Sequence, residues 1–440
     1  MKTNKLIQAA LCAGVVSISA AVQAQVNPAP LNYSNSISLI TNGGGAPAGG
    51  TGLWGYAFGD YAYVAHGDSL GRGTKMQYKG LGAAGSQQGP NAFEIRRAYL
   101  GYNYNINSKF AAYVLMEYQG DYDVNANRTL YLKTFFFKWK NIFKGTDLKI
   151  GQQTTNSFAN PYNSEALMGY RAIDKTIVDM HGVDGATDMG IMLDGKLLTH
   201  KCADSTQLPT IIGYSAMMGN NSANTPVPGF TNAGTATNTT TDVDKKYRFN
   251  VYCNTLNGAL TIGLYTDYIN YGNIPYAKSS VVRQSAQQTI KAYAAYNTKR
   301  FGLGTEWFTQ SLTNGETKVY TPGNGTNDTT SAVQTGISVF AHGTLIQKKL
   351  NVFARYDMYT PDANYSYNKN ETFTSRFTNI GGVSWKETFM SFGFDYSPTD
   401  DKKVHFMPNV WIYGINNGYG SDNMKSDNYM VYRVTFLYAF

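Results

Sequence analysis

The sequence predicts an all-β chain, an antiparallel transmembrane β-barrel of about 16 strands with short turns at one end and long loops at the other. Three observations predict it. From Leu53 onward apolar and polar residues alternate with period two over stretches of roughly ten residues, each closed by turn residues. The links between these stretches alternate between short and long. Only 15% of the 440 residues are charged, yet mean hydropathy is −0.32, because Gly, Asn, Thr and Ser fill the gap.

Composition also excludes other classes. With 34 Tyr, 22 Phe and 5 Trp the chain has too many aromatics to stay unfolded. After the N-terminus no apolar run approaches the roughly 20 residues of a spanning helix. Three Cys exclude a disulfide scaffold. The formal charge of +8 is spread without a basic or acidic tail, so nucleic acid is not an expected partner.

Lys2 and Lys5 precede the apolar stretch Leu6 to Val22, and Val22-Gln23-Ala24 offers small or apolar residues at −3 and −1. This predicts a signal peptide over 1–24, cut after Ala24. Leu11 stands before Cys12, where lipid attachment would want a small residue. Residues 25–51 read as a Gly/Asn-rich leader and 52–440 as the barrel.

Strands are expected near 53–65, 93–104, 109–118, 128–139, 147–154, 189–198, 209–218 and 246–254. Eight more are expected near 259–271, 287–298, 301–311, 332–345, 349–359, 387–397, 403–415 and 428–440. Short turns include 105–108, 140–146, 254–258, 298–300, 347–349 and 398–402. The long links lie near 66–92, 155–186, 219–245, 313–331 and 360–386. SRFTNIGGVSW is assigned to the last of these, because a further strand would break even parity. In the last strand Met430, Tyr432, Val434, Phe436, Tyr438 and Phe440 form an uncharged face, opposite Arg433 and Thr435. Near Leu350, Asn351, Phe353, Arg355, Asp357 and Tyr359 share one face against Leu350, Val352, Ala354, Tyr356 and Met358. A basic residue facing lipid at mid-membrane costs about 2–4 kcal/mol, so the charged faces should point into a wet interior. About 16 strands leave an aqueous channel. Trp139, Phe143, Trp307, Trp411, Tyr438 and Phe440 are candidates for aromatic girdles.

FEIRRAYLGYNYNINSKFAAYVLMEYQ (93–119) resembles the first full hairpin of the phosphate-selective porin O and P family. LKIGQQTTNSFANPYNSEALMGYRAIDKT (148–176) and FGFDYSPTD (392–400) through the terminal Phe440 are similar to its later segments. The resemblance implies a 16-stranded, usually trimeric porin of the outer membrane of a Gram-negative bacterium, with its third outer loop folded inward. It also implies that Phe436, Tyr438 and Phe440 form the signal read by the barrel-assembly machinery. Arg96 and Arg97 match the family's paired arginines. Strict alternation sends Arg97 inward and Arg96 to lipid unless a bulge turns it. No further arginine row follows, which departs from the family's anion-site pattern.

Alternation places Arg97, Lys133, Lys149, Lys196, Arg248, Lys291, Arg355 and Arg433 inside, with Glu117, Asp194, Asp267, Glu306, Asp357 and Asp395. Eight against six is a weak positive bias, so mild anion preference or little preference is expected. Arg355 and Asp357, two apart on one face, are spaced to pair. In the third loop NSEALMGY suits a short helix, which would hang Arg171 and Lys175 over the channel. The loop either narrows the pore or covers its outer rim. Cys202 and Cys253 fall at the same end of the barrel, where export permits a disulfide; two free thiols are the alternative. His66, His181, His200, His342 and His405 lack metal spacing. His181, among loop acids, reads as solvated. No nucleophile motif or P-loop is present, and GLGAAGSQQG (80–89) opens no helix. The chain therefore reads as a non-enzyme without cofactor or metal. The leading expectation is a porin for passive diffusion of small hydrophilic solutes. The alternative is an adhesive barrel that binds a partner through loops such as 219–242.

Overall fold

A computed structural model of the chain describes residues 52–67, 88–119, 130–157, 175–199, 210–221, 245–256, 259–275, 282–298, 300–320, 327–364, 371–373, 386–400, 403–416 and 427–439. The expected signal peptide, the leader, Arg171, Cys202, Phe440, the NSEALMGY helix, SRFTNIGGVSW and residues 222–242 of loop 219–242 lie outside these residues.

The strands follow in chain order as β1 (Gly52–His66), β2 (Asn91–Asn105), β3 (Phe110–Gln119), β4 (Leu130–Phe143), β5 (Thr146–Thr154) and β6 (Thr187–Thr199). Then come β7 (Thr210–Gly219), β8 (Lys246–Thr255), β9 (Leu260–Pro275), β10 (Val282–Asn297), β11 (Phe301–Tyr320) and β12 (Asn327–Ile346). The series ends with β13 (Leu350–Thr360), β14 (Glu371–Phe373), β15 (Lys386–Tyr396), β16 (Val404–Asn416) and β17 (Asp427–Ala439). One helical turn, α1 (Ile177–Met180), lies between β5 and β6. Every strand pairing is antiparallel between sequence neighbours, except that β14 lies on β11, β13 pairs β15, and β1 closes onto β17. Sixteen strands therefore make a closed barrel, with β14 an addition on its long-loop side. Closure pairs the backbone all round and removes the exposed edge, which is what allows strands to cross lipid.

The two faces separate as alternation demands. On β17 Tyr432, Val434 and Tyr438 are 52%, 44% and 49% exposed, while Arg433 and Thr435 between them are buried. The same holds on β13, where Phe353, Arg355, Asp357 and Tyr359 are enclosed and Tyr356 and Met358 face out. Trp139, Phe143, Trp307 and Tyr438 stand on the outer face. Among the described residues no helix is long and apolar enough to cross a membrane; the strands make the crossing.

Glycines on the inner face let aromatic rings lie flat against the wall. A Cβ at Gly263 would sit 2.1 Å from the Tyr293 ring, and one at Gly101 would sit 2.1 Å from Trp54. Such ring-over-glycine pairs fix register between adjacent strands.

Three expectations need correction. Link 313–331 is largely strand, because β11 and β12 continue pairing through Glu316↔Thr330 to Val319↔Asn327. The polar residues there break the apolar alternation but not the ladder. Trp411 is no girdle residue: it is 4% exposed on the inner face of β16, with Ser391 as its cross-strand neighbour. Counting by twos from His405 would have placed it inside. Lys196 is exposed at the short-turn end, where β6 and β7 slip register, rather than enclosed.

A Val434→Arg substitution should lower the folding free energy in lipid by about 2–4 kcal/mol, measured by equilibrium urea titration in vesicles. An unchanged titration would contradict the outward placement of this face.

Candidate functional site

The inner wall starts from an irregularity in the first hairpin. Phe58 pairs Arg97 and Gly59 pairs Ile95, so Arg96 is the extra residue of a β-bulge. Gly59 makes this possible, since a Cβ there would meet the Glu94 carbonyl oxygen at 2.2 Å. The bulge turns both arginines inward, and both are buried. The lipid-facing position that strict alternation gives Arg96 is thereby overturned.

Each arginine joins its own cluster. Arg96 Nε lies 2.7 Å from Asp60, and Arg433 Nη1 lies 2.7 Å from Asp60 and 2.9 Å from Glu94. Arg433 rests over the Trp411 ring at 4.3 Å, and Arg96 over Phe58 at 5.0 Å. Arg97 and Lys133 share Glu117 at 2.9 and 2.6 Å, with Lys133 over Tyr99. Elsewhere Lys149 meets Asp194 at 2.8 Å, Lys291 meets Glu306 at 2.8 Å, and Arg355 meets Asp357 at 2.5 Å. His405 is 2.7 Å from Asp395. The cations thus carry a carboxylate partner and, in several cases, an aromatic face.

The third outer loop, 155–186, lies against this wall in its described part. Asp184 accepts from Lys246 Nζ at 2.9 Å, from Arg248 Nε at 3.0 Å and from the Tyr265 hydroxyl at 2.9 Å. Arg248 also reaches Asp188 at 2.8 Å. Ser157 Oγ donates to Asp184, and Lys291 Nζ donates to the Ser157 carbonyl. Gln310 Nε2 donates to the Val183 carbonyl at 2.8 Å. Arg355 donates to the Lys175 carbonyl. Ile177, Val178 and Val183 pack with Phe308 and Tyr359. The loop thus touches β7 through β13, and β15.

Lys175 takes part through its backbone carbonyl, which accepts from Arg355. The one described helical turn is α1, capped by Thr176, whose side chain accepts from the Asp179 N–H. His181 is not a solvated loop histidine. Its ring stacks on Tyr359 with centroids 3.5 Å apart, and Nδ1 lies 3.5 Å from Glu387. Cys253 is a free thiol on β8, opposite the outward Ile262. Among the described residues no group of three or more His, Cys, Asp or Glu is arranged to hold a metal ion.

Sequence reading missed Asp60, Glu94, Asp184, Asp188, Lys246 and Glu387. Lys246 and Asp60 lie on strands whose parity could have found them. Asp184 and Glu387 sit where the loop meets the wall, which needs three dimensions. Among the described residues, counting these groups removes the weak positive excess inside. Burial alone would raise the Asp184 carboxyl, but Arg248 and Lys246 outweigh it and hold it well below the usual carboxylate range.

The comparisons agree on fold. The crystal structure of the outer membrane channel DcaP of Acinetobacter baumannii matches with a TM-score of 0.56 at 11% identity, over 90% of this chain and 99% of that one. The anion-selective porin from Comamonas acidovorans matches with a TM-score of 0.52 at 12% identity, over 89% of this chain and 99% of that one. No protein-family model and no curated protein sequence matches the chain. At these identities the likeness is one of fold.

Asp184→Asn should loosen residues 176–185, because Lys246 and Arg248 lose their shared anion and keep only Asp267 and Asp188, a loss of about 3 kcal/mol, the low end for a broken buried pair. Faster amide hydrogen exchange at Met180, His181 and Val183 would register it. The low carboxyl pKa fixes the sign of the acid response. Asp184's contribution is complete above the ordinary carboxylate pKa and is lost only as pH falls toward the depressed folded value. Acidification from pH 7 to about 5, still above the ordinary carboxylate value near 4, should therefore leave the Asp184 anchor in place. Exchange as fast as in Asp184→Asn at that pH would contradict this anchorage.

Proposed function

We propose that the protein is a porin of a Gram-negative outer membrane, allowing passive diffusion of small hydrophilic solutes through a channel narrowed by the third loop. One observation carries the reading. A closed barrel of 16 strands turns an apolar face outward and gathers paired ions and aromatic rings inside, with a loop segment held to the inner wall by Asp184. Barrels of this size enclose a channel. The inner wall supplies polar groups in place of water without a bare field of one sign, because Arg97, Lys133, Lys291, Arg355 and Arg433 each face a carboxylate. This pairing supports weak charge preference rather than a phosphate site. Solute entry from the long-loop side, passage beside residues 175–186 and exit at the short-turn end require no cofactor and no energy coupling. Export by the 1–24 signal peptide, a homotrimer, and recognition of Phe436, Tyr438 and Phe440 by the barrel-assembly machinery complete the proposal and rest on sequence and resemblance.

Reconstitution in planar bilayers tests it. Stepwise ohmic currents with a reversal potential near zero in a salt gradient are expected. Glu117→Gln, which leaves Arg97 and Lys133 without their carboxylate, should shift that potential toward anion selectivity. A correctly folded barrel that passes no ions would overturn the reading.

A further inference from the structure

The outer wall is not uniformly filled. Across β6 to β9 one outward row reads Leu193, Ala216, Phe249, Thr266, and the next row toward the long-loop end reads Ile191, Met218, Tyr247, Tyr268, with Gln288 beyond on β10. Ala216 and Thr266 are small where their neighbours are large. They floor a groove of about 600 Å³ whose rim is Ile191, Met218, Tyr247, Phe249 and Tyr268. That volume lies within the roughly 300–1,000 Å³ of sites for small molecules. The rim side chains are exposed, Tyr247 at 56%.

The groove's setting defines its occupant. It lies on the uncharged face that meets hydrocarbon, so a polar solute has no reason to enter. Tyr247 and Tyr268 are cross-strand partners at its long-loop edge, where a ring with a polar tip marks the boundary between acyl chains and headgroups. Just before β8 begins, on the long-loop side of Tyr247, stands Lys245, which is exposed. An apolar trough, an amphipathic pair of rings and then a cation succeed one another toward the long-loop end. The same order occurs in an anionic lipid read from chain to phosphate.

We propose that this groove is a seat for one acyl chain of a phosphate-bearing lipid in the leaflet on the long-loop side, with Lys245 facing its headgroup. The seat rests on the membrane-spanning reading of the barrel but not on the channel reading, since it lies on the opposite face of the wall.

Native mass spectrometry of delipidated protein with added dimyristoyl phosphatidylglycerol or dimyristoyl phosphatidylcholine tests the seat. One tightly held phosphatidylglycerol per chain is expected, with the zwitterionic lipid held several-fold more weakly. Ala216→Phe, which fills the floor, should abolish the adduct, and Ala216→Met should weaken it. Lys245→Glu should reduce the preference between the two lipids. Both Ala216 variants should retain wild-type circular dichroism and conductance. Equal lipid retention by Ala216→Phe would overturn the proposal. So would conversion of an oligomer to a monomer by that variant, which would assign the groove to a second copy of the chain.

Discussion

Backbone hydrogen bonding in the absence of water is the constraint on which this structure depends. A strand in hydrocarbon has no solvent to satisfy its N–H and C=O groups, so each must find a neighbour, and the last must find the first. The pairing of β1 with both β2 and β17 meets that demand through Tyr56↔Tyr99 and Tyr56↔Ala439. Once the ring is closed, alternation leaves two environments and no third. Outward residues must suit lipid, and inward residues must suit an enclosed polar space. The rest of the molecule follows from that division.

The enclosed space then imposes its own condition. Ions removed from bulk water need partners, and the inner wall supplies them as cross-strand clusters rather than isolated pairs. Asp60 serves Arg96 and Arg433, Glu117 serves Arg97 and Lys133, and Asp184 serves Lys246 and Arg248. In the first two cases sharing one carboxylate between two cations ties together strands that are not adjacent in sequence. In the third both cations stand on β8, and the shared carboxylate ties a loop to the wall. The same chemistry thus braces the barrel and fixes what hangs inside it. The aromatic faces beneath Arg433 and Lys133 add a lateral contact to each of these two cations.

Most of the fold was legible because its signal is local. All sixteen barrel strands were readable from period-two alternation, as were the faces of β13 and β17. The failures trace to particular residues. Arg96 faces inward because the pairing gains a residue opposite Gly59, and alternation does not reveal where a ladder slips. Trp411 was judged by its residue type, although its parity with His405 pointed inward. The extension of β11 and β12 was hidden because Thr, Asn and Glu pair as well as Val once the strand has left the apolar band. Asp184, His181 and Glu387 are contacts between a loop and a distant wall, with no spacing to announce them. The site was therefore legible as a list of inward ions with one pairing, Arg355 to Asp357, and its other connections were not.

The division into two faces can be measured directly along β12. Spin labels placed singly at 334 through 341, in a background lacking Cys202 and Cys253, can be compared for collisions with oxygen and with a water-soluble nickel chelate in lipid vesicles. Labels at the outward Ile337, Val339 and Ala341 should favour oxygen. Labels at Gln334, Ser338 and Phe340 should show a low oxygen signal, with nickel reaching those that border the channel. Oxygen access that rises on the second set, or shows no period of two, would contradict the account.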